Sequence, residues 1–194
     1  MIKEVLVFEN IIPESIQNKI RDTMLEQVPW FYNHDVSIIN NPRQQRPAFS
    51  HLFHYNGQVN SDYWSFPNMI IENTAKKLDI TKYEVNKSRS FLQLPLEKNF
   101  TGDEIDSPHV DLQSPHLVFL YYVCDSDGDT VIYKNKTDGS TVPYFDELKV
   151  LQKITPKQGS VVVFDGLHWH TAEQPRKNVR CIINNDIIIK ETKQ

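Results

Sequence analysis

Beyond Asp79 the chain is a succession of short β-rich runs cut by turn residues, and this pattern restricts the fold more than any other feature. The runs are Ser90–Leu94, Ile105–Leu112, His116–Cys124, Thr130–Tyr133, Leu148–Ile154, Ser160–Phe164, His168–Ala172 and Arg180–Ile189. Asp125-Ser126-Asp127-Gly128-Asp129, Asp138-Gly139-Ser140 and Pro175-Arg176-Lys177-Asn178 lie between them. Glycine supplies backbone freedom there, and the short polar side chains hydrogen-bond their own backbone, so each cluster turns the chain. Ahead of the runs come a short strand, Glu4–Phe8, and a helix opened by Pro13-Glu14-Ser15 with Ile16, Ile20 and Met24 near the 3.6-residue period. A second helix is predicted over Pro67–Leu78, with Ile70, Ile71, Thr74 and Leu78 inward. Residues 29–60 read as irregular. Eight short strands behind two helices predict a mainly β, α+β architecture: a double-sheet jelly roll with the N-terminal helices packed on one sheet.

The 194 residues fit a single domain, with residues 1–85 as the N-terminal part and 86–190 as the jelly-roll core. A formal charge of −4 provides no basic field for nucleic acid or for an anionic membrane surface. The expected partner is a small molecule, a peptide or a protein. No apolar run reaches the ~20 residues that span a bilayer, and Glu9 and Pro13 interrupt the N-terminus too early for a signal peptide. Cys124 and Cys181 sit far apart in apolar stretches and read as buried thiols of a reducing compartment. A cytoplasmic location is the expectation.

Two features carry chemistry. The first is His109-Val110-Asp111; on a strand, residues two apart project to the same face, so an imidazole and a carboxylate can point together. Alone, the pair reads equally as surface polarity. The second is the run Gly159–His170, ending His168-Trp169-His170, with Arg180 ten residues beyond His170. A histidine from this distant strand completes two histidines and one carboxylate. Such a set leaves about three coordination positions open, which suits non-haem Fe(II). Zinc favours closed tetrahedral sites or one open position, although spacing alone leaves zinc and manganese as alternatives.

Read in order, S-P-H-V-D (107–111), the apolar strand ending Y-Y-V (121–123), G-D-T-V-I-Y (128–133), G-S-V-V-V-F-D (159–165), H-T-A-E-Q-P (170–175) and Arg180 resemble the 2-oxoglutarate/Fe(II)-dependent oxygenases, in particular the small prolyl 4-hydroxylase-like branch. The resemblance covers roughly residues 88–188, and V-L-V-F-E-N-I-I-P-E-S fits the same branch more loosely. It implies a double-stranded β-helix, the cupin-like form of the jelly roll, with His109, Asp111 and His170 holding Fe(II). It implies 2-oxoglutarate as co-substrate and O2 as oxidant, with ascorbate in a supporting role. Arg180 would pair with the far carboxylate of 2-oxoglutarate, for which a guanidinium fork is suited. Its setting in Val-Arg-Cys-Ile-Ile argues against a surface arginine, because an unpaired buried charge is expensive. Thr130, in Gly128-Asp129-Thr130, matches the threonine of the family's G-G-E-T and would support the co-substrate, although the paired glycines are one short. Tyr121 and Tyr122 point to opposite faces; each reads first as an ordinary core aromatic, and one of them could reach the co-substrate.

His168 shares strand parity with His170 and competes for the third ligand position; the step to Arg180 is ten residues from His170 and twelve from His168, and the family step is ten. His116, after Pro115, reads as structural, and His34, His51 and His54 lie outside the ordered motif. Residues 94–104 are longer than the tyrosine-bearing segment usual in peptidyl prolyl hydroxylases, and that tyrosine has no counterpart here. The aromatic stretch Pro47–Gly57 reads either as a lid or as a loop packed on the sheet. The resemblance implies hydroxylation of a C–H bond, with a peptidyl proline as first substrate and a free amino acid or small metabolite next, releasing succinate and CO2. Asp111 itself argues against halogenation, which needs that carboxylate replaced. A non-catalytic jelly-roll binding protein and a metal-dependent isomerase or hydrolase are the alternatives.

Overall fold

The computed structural model describes residues 2–34, 47–102, 104–139 and 145–190. Two α-helices, eleven strands and a 3-10 turn at Phe145–Glu147 are described: β1 Leu6–Phe8, α1 Glu14–Glu26, β2 Phe31–Asn33, β3 Ala48–Tyr55, β4 Gln58–Val59, α2 Ser65–Lys77, β5 Tyr83–Gln93, β6 Leu117–Tyr122, β7 Thr130–Lys136, β8 Val150–Ile154, β9 Val161–Asp165, β10 His168–Ala172 and β11 Arg180–Ile189. A large antiparallel sheet runs β1-β9-β6-β11-β5-β3-β2, with β4 on β3, and faces a three-stranded sheet β10-β7-β8. This is the jelly roll expected from the strand grammar.

Strand β6, Leu-Val-Phe-Leu-Tyr-Tyr, is buried on both faces, which is why it reads as an unbroken apolar run. Leu117, Phe119 and Tyr121 face one core, with Ile20 and Met24 of α1 and Ile70, Ile71 and Ala75 of α2. Val118, Leu120 and Tyr122 face the other, between the sheets, with Ile132, Ile154, Val162, Phe164 and Ile182. The helices therefore pack on the outer face of the large sheet, as expected. A fully buried side chain such as Phe119 contributes about 1.5–3 kcal/mol by leaving water.

α1 begins at Pro13, whose carbonyl accepts from the amides of Ile16 and Gln17 at 2.9 and 3.0 Å. Gln17, Ile20, Thr23 and Met24 form its buried stripe at helical spacing. α2 carries Pro67 in its first turn, where a missing N–H costs nothing, and Lys76 and Lys77 in its last, where cations favour the helix dipole. Among the described residues, no helix is long and apolar enough to cross a membrane. Both cysteines are free and buried.

Three expectations need correction. Residues 29–60 are not irregular where they are described: β2, β3 and β4 extend the large sheet, while residues 35–46 lie outside the described set. In β3 the buried His51 and His54 interrupt the apolar alternation: His51 is bonded to the Pro29 carbonyl and the Ser61 hydroxyl, and His54 stacks on Trp64. The stretch Pro47–Gly57 is accordingly no lid; β3 pairs with β5 from Phe49 to Tyr55. Finally, Ile105–Leu112 is not a strand. It touches β10 and its continuation through two isolated bridges, Ile105–Glu173 and His109–His170. Pro108 lies between them and has no N–H to give a ladder.

Candidate active site

The inward positions of β11 break the apolar rule of its neighbours. Cys181, Ile183 and Ile187 join the helix-side core, whereas the opposite parity presents Arg180, Ile182, Asn184 and Asp186 between the sheets. Arg180 is 3% exposed and Asp186 fully buried. A polar row inside a β sandwich marks a cavity, because buried polar groups need partners. Arg89, His109, Asp111, Thr130, His170 and Arg180 all line that cavity.

The bridge at His109 brings two of these groups together. His109 N–H donates to the His170 carbonyl at 2.9 Å, and His170 N–H returns the bond at 3.0 Å. Directly opposed residues of an antiparallel pair share a face, and the two imidazole centroids lie 4.6 Å apart. Asp111 reaches the same point two residues on: its Oδ2 is 3.3 Å from His170 Nε2. One ligand-type atom from each of His109, Asp111 and His170 lies within 4.8 Å of the others. The Nδ1 atoms face backbone carbonyls, Ser107 for His109 at 3.3 Å and His168 for His170 at 3.0 Å, an outward tie of the kind that fixes the tautomer of a metal-binding imidazole. Burial, then the neighbouring His170, lowers the His109 pKa to about 4, so the ring is neutral near pH 7.

Asp111 is gripped at both oxygens. The Arg89 guanidinium is ion-paired to Oδ1, and Asn184 Nδ2 donates to Oδ2 at 3.0 Å. Burial opposes its ionisation, but Arg89 and the two imidazoles outweigh it and hold the carboxyl well below the usual range. Asp186 goes the other way: burial, then the Asp111 charge, pushes its carboxyl well above that range. Asn184 spans the two acids, reaching Asp186 Oδ1 at 3.3 Å.

Arg180 occupies another part of the cavity. Its Nε donates to the Gly128 carbonyl at 3.0 Å, Nη1 to Gln93 Oε1 at 3.0 Å, and Nη2 to Thr130 Oγ1 at 2.8 Å. Gln93 in turn donates to Asp106 at 2.7 Å, a carboxylate that Gln174 also holds. Thr130 Oγ1 accepts a second bond from Tyr122 at 2.8 Å, which leaves its own proton to donate elsewhere. Thr130 pairs with Ala172, two residues along β10 from His170, so the anchor lies roughly 7 Å along the sheet from that imidazole.

The structure thus brings His109, Asp111, His170, Thr130 and Arg180 into one cavity. His168 stands apart: its Nδ1 bonds the Tyr133 carbonyl at 2.7 Å, and a register shift separates it from His170. Of the tyrosines, Tyr122 reaches Thr130, whereas Tyr121 packs on the helix side. His116 Nδ1 bonds the Ser114 carbonyl at 2.8 Å, and its ring lies against Gly166, a packing role. Sequence reasoning missed Arg89, Gln93, Asp106, Asn184 and Asp186. The available signal was period-two polarity, Arg89 and Gln93 on β5 and Asn184 and Asp186 on β11, at positions that should have been apolar.

Gly128 matters for its missing side chain. A β-carbon there would lie 2.5 Å from the Glu173 carbonyl oxygen and 3.1 Å from Arg180 Cδ. Gly128→Ala is expected to cost about 1–3 kcal/mol of stability, the usual range for overpacking, and to displace Arg180. Thermal melting and a crystal structure of the variant read the two effects; wild-type stability together with an unmoved Arg180 would contradict the close approach.

No protein-family model matches the chain, and no curated protein matches it. Solved structures do. An oxidoreductase of the 2OG-Fe(II) oxygenase family from Burkholderia pseudomallei superposes with a TM-score of 0.67 at 12% identity, over 96% of this chain and 86% of that one. The viral collagen prolyl hydroxylase vCPH from Paramecium Bursaria Chlorella virus-1, as its 2OG complex, gives 0.55 at 13% identity, over 95% and 96%. The fold is that of the 2-oxoglutarate/Fe(II) oxygenases. The non-heme α-ketoglutarate-dependent epimerase SnoN from nogalamycin biosynthesis shares it, with a TM-score of 0.63 at 10% identity over 95% of this chain and 78% of that one. A 2-oxoglutarate oxygenase fold therefore hosts more than one reaction, and the chemistry has to be argued from the side chains.

Proposed function

We propose that this protein is an Fe(II)- and 2-oxoglutarate-dependent dioxygenase that hydroxylates an aliphatic C–H bond. The observation that carries the proposal is the convergence of His109, Asp111 and His170 in a cavity that also holds a buried arginine. The donor set fits the metal: two imidazoles and one carboxylate leave room for further ligands, as a non-haem iron site requires. Arg180 fits the co-substrate. Three of its five N–H groups go to neutral oxygens, so two remain to form a fork with a carboxylate. The free Thr130 proton would add a third donor to the same group. The separation of triad and guanidinium along the sheet is one that a short dicarboxylate can bridge.

With these groups bound, the reaction combines substrate, 2-oxoglutarate and O2 and yields hydroxylated product, succinate and CO2. The chain's own contribution is positional. Asp111 and the two imidazoles hold one edge of the site, Arg180 fixes the far end of the co-substrate, and Phe91, Leu120 and Ile182 keep the intervening wall apolar. The likeness to a collagen prolyl hydroxylase supports a prolyl ring as one candidate for oxidation.

Protein purified without oxygen should develop a weak visible charge-transfer band when Fe(II) and 2-oxoglutarate are both added. Admission of air should then give succinate. Absence of both signals would leave a non-catalytic binding protein as the better reading.

A further inference from the structure

The cavity contains two arginines, and the co-substrate needs only one. Arg180 is deep, with all three side-chain nitrogens hydrogen-bonded. Arg89 differs. It lies on the cavity wall with its side chain 26% exposed, and its guanidinium carbon sits 4.9 Å over the Phe91 ring. Among the described residues the only hydrogen-bond partner of its guanidinium is Asp111, through Nη2. Its Nε is buried without a partner.

That arrangement is balanced only while Asp111 belongs to Arg89. If Asp111 also ligates a divalent cation, its charge is shared, and Arg89 becomes a cation beside a cation with most of its N–H edge unused. In a cavity walled by Phe91, Leu120 and Ile182 such a charge is costly to leave without an anion. Resting on the oxygenase reading above, we propose that Arg89 binds a carboxylate of the molecule to be oxidised. The substrate is then a small carboxylate-bearing compound, such as a free or N-acylated amino acid, rather than an internal stretch of polypeptide. Because Arg89 touches Asp111, a carboxylate on its free edge lies beside the metal position, and the C–H bond oxidised lies close to that carboxylate. The co-substrate's own carboxylate next to its keto group has the same chemistry, so the test must separate the two sources.

The full chain, loaded with Mn(II) and 2-oxoglutarate, is titrated with N-acetyl-L-proline and, separately, with N-acetyl-L-prolinamide. Relaxation of the acetyl methyl protons by Mn(II) reports occupancy near the metal. The acid is expected to act at concentrations about tenfold below those of the amide, the scale of one charge-assisted hydrogen bond. With Mn(II) and 2-oxoglutarate raised until both sites are full in each protein, Arg89→Gln should remove this preference, and Arg89→Lys should keep part of it. Equal relaxation by the two wild-type probes, none included, overturns the inference, and that comparison needs no variant. A preference that survives in Arg89→Gln would belong to the metal, and release of 2-oxoglutarate from the wild type by the acid would assign the site to the co-substrate; either overturns it. Failure of the Mn(II)-loaded wild type to take up 2-oxoglutarate is read first, and removes the oxygenase reading together with this one.

Discussion

Asp111→Ala protein is expected to fold, to lose at least about 100-fold in Co(II) affinity, and to form no succinate. The size follows from what the carboxylate does. Substitutions one shell out from a metal already cost about 10–100-fold, and Asp111 is the one carboxylate among the three ligand-type groups. Folding should survive because Asp111 lies on a tacked segment and is itself outside the three hydrophobic clusters. Its removal leaves Arg89 without its ion pair but also relieves the like charge beside Asp186. Co(II) titration by visible absorption measures the loss, and circular dichroism checks the fold. His168→Ala is the matched control: that ring is held by the Tyr133 carbonyl outside the triad, so metal binding and succinate should persist. Unchanged Co(II) affinity in Asp111→Ala, or its loss in His168→Ala, would dismantle the proposed ligand set.

Arg180→Ala should bind 2-oxoglutarate about 10–100-fold more weakly while keeping its metal, since a hydrogen bond to a charged group is worth about 1.5–3 kcal/mol. Some stability should go as well. The Gly128 carbonyl, Gln93 Oε1 and Thr130 Oγ1 each lose a donor inside the cavity. Arg180→Lys should rescue little: one ammonium cannot hold three oxygens on fixed vectors and still present a two-pronged face to a carboxylate. Calorimetric titration of the Mn(II)-loaded variants gives both numbers. Wild-type 2-oxoglutarate affinity in Arg180→Ala would end the anchoring role.

The parts legible in the sequence were those that obey simple periodicity. The runs His116–Cys124 and Ser160–Phe164 became strands β6 and β9, the first helix starts where Pro13-Glu14-Ser15 opens it, and the second lies within two residues of its expected ends. The residues of the candidate site were also legible, because His109, Asp111, His170 and Arg180 stand in an ordered, spaced set. The reason given for the first pair was wrong. His109 and Asp111 do not share a face through strand alternation; a single bridge to His170 orients the segment, and Pro108 prevents a ladder. β3 was lost because buried histidines look like loop residues to a hydropathy pattern. Arg89, Asn184 and Asp186 were lost for a related reason. A polar residue on a strand normally means water, and only the opposite sheet shows that these three face inward.

The division of β11 into two unlike faces has an evolutionary consequence. Substitutions at Cys181, Ile183 or Ile187 alter only how the helices sit, so drift on that side leaves the chemistry alone. Deleting one residue between Arg180 and Asn184 would turn half the strand inside out, sending a guanidinium or an amide and acid into the helix layer. Among descendants of this gene, β11 should vary in spelling but never in length.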